Sequence, residues 1–202
     1  MGLMQTSGSF TRFLVDGPLP EAFHDECRQR IPRFAFKGID ESSQDERADG
    51  WVNILDMLDY TFAGMEYLKE PYLAMAWRVD VRKVPSSALK HYCREAEEKI
   101  KEMESLEYLP KARRQEIRDM VHAKLLKRAI PRSQAYDMIW NLQTGIILFG
   151  GTAPKVCDEF AGFFNQCFEL PLRTLFPYFM AEQIANAKAP GLLDDLDTAL
   201  PE

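Results

Sequence analysis

Long hydrophobic runs are missing from this sequence. Its longest apolar stretches, such as Gly145 to Gly151, fall far short of the roughly 20 residues a membrane-crossing helix needs. The first residues carry no basic segment leading into an apolar stretch, so the expectation is a cytoplasmic chain that is neither exported nor membrane-bound. Histidine is scarce. None of His24, His91 and His122 has a serine or cysteine partner at an interpretable spacing, which leaves nucleophilic catalysis without support. The four cysteines (Cys27, Cys93, Cys157, Cys167) are widely spaced, and three fall in helix-like segments, so they read as reduced thiols rather than a disulfide framework. His24 and Cys27 stand three apart on a predicted helix, but no second pair completes a four-ligand metal site. A phosphate-cradling loop is also lacking. Gly150-Gly151 follows a strand without the later glycine and lysine of a nucleotide site, and reads as a strand-to-helix turn.

What remains is an ordinary globular composition, 46% apolar and 28% charged, which predicts a packed fold rather than disorder. At 202 residues the chain is long enough for one domain over residues 1–186, or for two subdomains of about 1–70 and 71–186. The stretch 187–202, with Asp194, Asp195 and Asp197, is predicted to be an acidic, disordered tail. Net charge is −6, but its distribution is uneven. Between Leu109 and Ser133 stand eight basic residues (Lys111, Arg113, Arg114, Arg118, Lys124, Lys127, Arg128, Arg132) against two acidic ones (Glu116, Asp119), a local excess of +6 that leaves −12 for the rest of the chain. Two readings stay open here: a solvated helix face with a basic bias, or a phosphate-binding surface, since counterion release depends on clustered cations rather than on the total. Glu97-Glu98-Lys99 has the acid-x-lysine spacing of metal-dependent nucleases, yet it sits mid-helix among solvent-facing charges.

Periodicity gives the elements. Ser9 to Val15 reads as a first strand stopped by Asp16-Gly17-Pro18, and Pro20-Glu21 opens a helix in which Phe23, Cys27 and Ile31 repeat until Pro32 ends it. Gly38 to Gly50 reads as a polar, acidic loop, and Trp51 to Leu55 as a strand, with Trp51 at least partly buried beside Tyr60 and Phe62. Tyr72 to Val84 is the clearest strand, ending in the alternating Trp77-Arg78-Val79-Asp80-Val81-Arg82, one face buried and the other charged. After it, Ser86 is a predicted N-cap for a helix running to about Glu104, with a stripe of Leu89, Tyr92, Ala96, Ile100 and Met103. Pro110 opens another helix, with Ile117, Met120, Val121 and Leu125 on its apolar face, which Pro131 stops. Gln134 to Leu142 and Gly145 to Gly150 form a predicted hairpin. A helix from Pro154 then turns Val156, Cys157, Phe160, Phe163, Phe164, Cys167 and Phe168 inward, as core rather than as a cofactor pocket, and Leu170 to Phe176 returns as a strand. Strands that meet through turns predict an α+β fold with antiparallel sheets and helices packed on one face.

Several segments carry a family likeness in order and spacing. They are Phe34 to Val52 with Glu41 and Gly50-Trp51-Val52, then Arg82-Lys83-Val84-Pro85, the helical Glu95, Lys99 and Glu102, and Arg113, Arg114, Glu116 and Ile117. Leu125-Leu126-Lys127-Arg128-Ala129-Ile130-Pro131-Arg132 and Leu170-Pro171-Leu172 continue the pattern. Over roughly residues 8 to 180 the chain resembles the recombination-associated RdgC family. It departs at Lys127, where the family usually has proline, at Ile130, usually phenylalanine, and at Gly150-Gly151, usually an apolar-acidic pair. Family members are also longer, with a further C-terminal portion that helps to close their ring.

The resemblance implies a protein that binds DNA without sequence preference, restrains RecA-type recombination and forms a ring-shaped dimer. An exonuclease label attached to that family has no matching site among these residues. The expectation is therefore a non-enzymatic, nucleoid-associated protein without cofactor or metal, whose partners are DNA, a RecA-type recombinase and a second copy of itself. Lys127, Arg128 and Arg132 are the candidate phosphate contacts, helped by Arg113, Arg114 and Arg118 on the preceding helix. The alternative is a protein-interaction module of the same fold that has lost DNA binding and acts through its acidic surface.

Overall fold

Apolar residues at every second position, hemmed by turn residues, make strands, and the computed structural model, which describes residues 8–40, 42–62, 64–176 and 181, has seven of them with four helices. In chain order they are β1 (Thr11–Val15), α1 (Phe23–Arg33), β2 (Arg47–Val52), β3 (Leu68–Lys69), β4 (Tyr72–Val81) and α2 (Ser86–Glu104). The series continues with α3 (Lys111–Arg128), β5 (Arg132–Asn141), β6 (Ile146–Phe149), α4 (Pro154–Phe168) and β7 (Leu172–Thr174). The strands order as β2-β4-β5-β6-β1-β7, with β3 also on β4, in an antiparallel sheet, so the fold is α+β as the sequence predicts. The predicted hairpin is β5–β6, in the register Met138 to Phe149 and Trp140 to Ile147. No helix among the described residues is long and apolar enough to cross a membrane. The acidic stretch from Ala187 onward lies outside the described residues.

The chain divides into two compact units, one from Met1–Phe34, Val52–Trp77 and Tyr136–Glu202, the other from Ala35–Trp51 and Arg78–Ala135. The first has an aromatic core. Phe149 and Phe160 stack at 3.9 Å, Trp77 packs against Phe160 and Phe163, and Trp140 makes edge contacts with Phe23, Phe164 and Phe168. The inward set predicted for α4 is buried apart from Val156, which is half-covered. Gly151, in the predicted strand-to-helix turn, has the Phe149 ring 2.5 Å from where a Cβ would stand, so a side chain there would displace the stack.

In the second unit the close approach is backbone against backbone. A Cβ on Gly50 would lie 2.4 Å from the Cα of Phe36, where the Phe36 amide donates to the Trp51 carbonyl at 2.8 Å. Only glycine admits that approach, which gives the Gly-Trp-Val element a structural reason. Trp51 is fully buried, as predicted.

Five local expectations change. The polar loop ends earlier than read, because β2 begins at Arg47 and stops at Val52: Arg47 to Gly50 pair as a strand despite their polarity. α1 runs through Pro32 to Arg33, since a proline near a helix end removes only one donor. Ser86 is the first helical residue instead of the cap; Pro85 takes the cap position at φ −60° and no side chain caps it. The charged face of β4 is covered as well. Arg78 grips Asp80 bidentately at 2.8 and 2.9 Å and lies 4.2 Å over the Phe36 ring, and Arg82, buried, donates from Nη2 to the carbonyls of Ile39 and Asp40. Arg82 Nε and Nη1 have no partner among the described residues. The fifth change concerns the helix pair, where Tyr92, Met103 and Met120, expected on apolar faces, are 47%, 85% and 59% exposed.

Candidate nucleic-acid interface

The basic excess resides mostly in α3, which carries seven basic and two acidic residues. Its backbone is set by Pro110 at φ −59° before the first turn and by Ala129, extended, after the last. α2 ends at Ser105, in a left-handed conformation at φ 50°, whose neighbour Leu106 donates back to the Lys101 carbonyl at 2.9 Å. The short connection that follows lets α3 pack on α2 through a small core of Leu89, Cys93, Leu109, Ile117 and Val121, with Val84, Ala96, Ile100 and Leu125 against it. Burial raises the Cys93 thiol above its ordinary range, opposed by the nearby Arg118.

This core divides the α3 cations. Residues three, four and seven apart share a helix face, so Lys111, Arg114 and Arg118 fall on one flank of the buried stripe and Lys124 and Arg128 on the other. The first flank borders a recess of 460 Å³ shared with Tyr108, Gln115 and Glu97. The second borders one of 560 Å³ with an apolar floor.

The six predicted contact residues differ in how free they are. Arg113 is engaged with Glu116 at 2.8 Å and Glu104 at 3.4 Å. Arg114 donates to the Leu109 carbonyl at 3.2 Å and the Tyr108 hydroxyl at 3.0 Å, with its guanidinium 5.3 Å from the Tyr108 ring centre. Arg118, Lys127, Arg128 and Arg132 are exposed, and their side chains make no ion pair or hydrogen bond among the described residues. Lys127 and Arg128 occupy the last turn of α3, where the helix dipole favours cations. Arg132 opens β5, separated from them by Ala129-Ile130-Pro131, with Ile130 91% exposed. The structure therefore gathers Lys127, Arg128 and Arg132 at one junction and places Arg114 and Arg118 together on a separate flank. Lys111 and Lys124, counted in the basic excess but not singled out in the sequence, complete the two flanks; the signal for both was helical spacing from Arg114 and Arg128.

The nuclease-like Glu97-Glu98-Lys99 is spent on helix pairs: Glu98 accepts from Arg94 at 3.0 Å and Lys99 donates to Glu95 at 2.6 Å. Among the described residues no three His, Cys, Asp or Glu side chains gather so as to hold a metal ion.

A family model with the description "Putative exonuclease, RdgC" matches residues 16–190, most of the chain. The chain belongs to the RdgC family. The match takes in the whole second unit, with its α2–α3 pair, and the first unit apart from its two ends, so that β1 of this RdgC chain precedes it. No curated protein matches the chain in sequence.

Proposed function

We propose that this RdgC-family chain binds DNA through phosphate contacts, without sequence preference, and so modulates RecA-type strand exchange in the nucleoid. The observation that carries the reading is the junction of α3 and β5, where Lys127, Arg128 and Arg132 stand exposed and, among the described residues, have no carboxylate partner. Unpaired cations of this kind release phosphate counterions on binding, whereas a cation already held by a carboxylate releases few. Exposed cations at a helix end and a strand start suit charge and hydrogen-bond contacts to phosphate oxygens, which position a protein on nucleic acid without reading its bases. The acting form is a homodimer, with the recombinase as its functional partner.

The binding is non-destructive. Support comes from the only nuclease-like triplet in the sequence, whose Glu98 and Lys99 are consumed in ion pairs along an exposed helix face. Two measurements test the proposal. Affinity for unrelated duplexes, followed against salt, is expected to fall steeply and equally for every sequence, and linear duplex incubated with magnesium or manganese is expected to stay intact. No binding at about 50 mM salt, where steering by charge is strong, overturns the first part. Cleavage abolished by changing one acidic residue overturns the second.

A further inference from the structure

On the Lys124 flank, α2 and α3 leave a 560 Å³ recess between them. Its floor is apolar: Tyr92 and Ala96 come from α2, and Met120, Val121 and Leu125 from α3. Tyr92 and Met120 remain about half exposed, although the helical stripe would place both in a core. The rim is cationic. Lys99 is tied to Glu95 at 2.6 Å, while Lys124 and Arg128 make no ion pair among the described residues.

We propose that this recess is a docking groove for an acidic, amphipathic peptide segment of another protein. A DNA backbone would satisfy the rim but gain nothing from the floor, because phosphodiesters have no apolar side chains to bury. A peptide that interleaves leucine-like side chains with carboxylates satisfies both. Its apolar side chains cover Met120 and Tyr92 while its carboxylates meet Lys124 and Arg128, the helix-in-groove arrangement that two or three spaced apolar anchors make. The two facing helices fix the groove through the Leu89, Cys93, Ile117 and Val121 core, so little ordering of this chain accompanies binding. The inference goes beyond DNA binding and does not rest on it. Arg128 serves both, so the test turns on the uncharged floor.

A labelled peptide with leucines at i, i+3, i+4 and i+7 and aspartates between them, titrated by anisotropy with the full chain, is expected to bind saturably. The same peptide with serine for leucine is expected to bind at least about tenfold more weakly. Met120→Ser and Tyr92→Ser, both at exposed positions, are expected to weaken the leucine peptide about tenfold and leave duplex DNA affinity unchanged. Arg114→Ser, on the opposite flank, leaves peptide affinity as it was. Equal binding of the two peptides, no effect of either floor substitution, or an equal loss for peptide and DNA overturns the proposal. Binding that requires removal of residues 187–202 also overturns it, since the occupant would then be the chain's own acidic segment.

Discussion

The two units are held together by different means. The first packs rings on rings: Phe13, Trp77, Trp140, Phe149, Phe160 and Phe164 are all 2% exposed or less. The helix pair of the second closes over five buried side chains and leaves Tyr92, Met103 and Met120 largely exposed. Charge follows the same division, because a helix with one narrow apolar stripe has most of its surface available for cations. A thick core fixes position and tolerates little; a thin one offers surface to partners. The proposed DNA contacts and the proposed peptide groove both fall on the thin side, as expected when recognition residues are carried by a scaffold whose own stability they do not supply.

The largest effect expected from breaking this contrast is in the aromatic core. Phe160→Ala removes a ring that stacks on Phe149 and touches Phe13, Trp77 and Phe164, and it leaves a cavity that rigid neighbours cannot close. A loss of about 3–5 kcal/mol in urea unfolding is expected. Next comes Gly50→Ala, whose new methyl would meet the Phe36 backbone; the strand must shift, at a cost of about 1–3 kcal/mol measured the same way. A smaller loss for Phe160→Ala than for Gly50→Ala would contradict the reading of the first core as the less yielding region.

How much of this was legible in the sequence follows the same division. The phenylalanine spacing of α4 predicted its buried face nearly in full, because a helix against a sheet buries a wide stripe and its periodicity is strong. On α2 and α3 the period was just as clear, yet it overstated burial at Tyr92 and Met120: periodicity reports which side chains could share a face, not whether another element covers that face. The covered charges of β4 were missed for a related reason. Arg78 and Asp80 neutralise each other two residues apart on one strand face, which reads as polarity in the sequence and as packing in the fold. The basic cluster was visible as a count between Leu109 and Ser133. Its division into two flanks, and the capture of Arg113 by Glu104 across the α2–α3 turn, needed the helix geometry.

The contrast also predicts where substitutions alter binding without touching the fold. Replacing Lys127, Arg128 and Arg132 together by alanine removes three exposed cations that make no ion pair among the described residues, so urea unfolding is expected to change little. The plot of log affinity against log salt should flatten by roughly 2 to 3 units, at about 0.9 per lost phosphate contact, and by the same amount for unrelated duplexes. Substituting Lys69 on β3 is the control and should leave the slope nearly unchanged. A triple variant with the wild-type slope would remove the α3–β5 junction from the binding surface.

The smallest effect expected is at Arg113, and it separates a count of charges from their availability. By sequence Arg113 belongs to the cluster as fully as Arg128 does. In the structure its guanidinium already holds two carboxylates, Glu116 one turn on and Glu104 at the end of α2, and these contacts raise its proton affinity above the ordinary arginine value. A phosphate would have to displace those carboxylates, so little counterion release is left for it to supply. Arg113→Ala should therefore shift the salt slope by well under the roughly 0.9 units of a full contact, while Arg128→Ala shifts it by about that much. The double substitution Glu104→Gln, Glu116→Gln sharpens the point, because it frees Arg113 without adding a cation. In that background binding should tighten, and the further change Arg113→Ala should then cost a slope approaching that of Arg128→Ala. Equal slopes for the two single alanine variants in the wild-type background would mean that total charge, and not pairing, governs the interface.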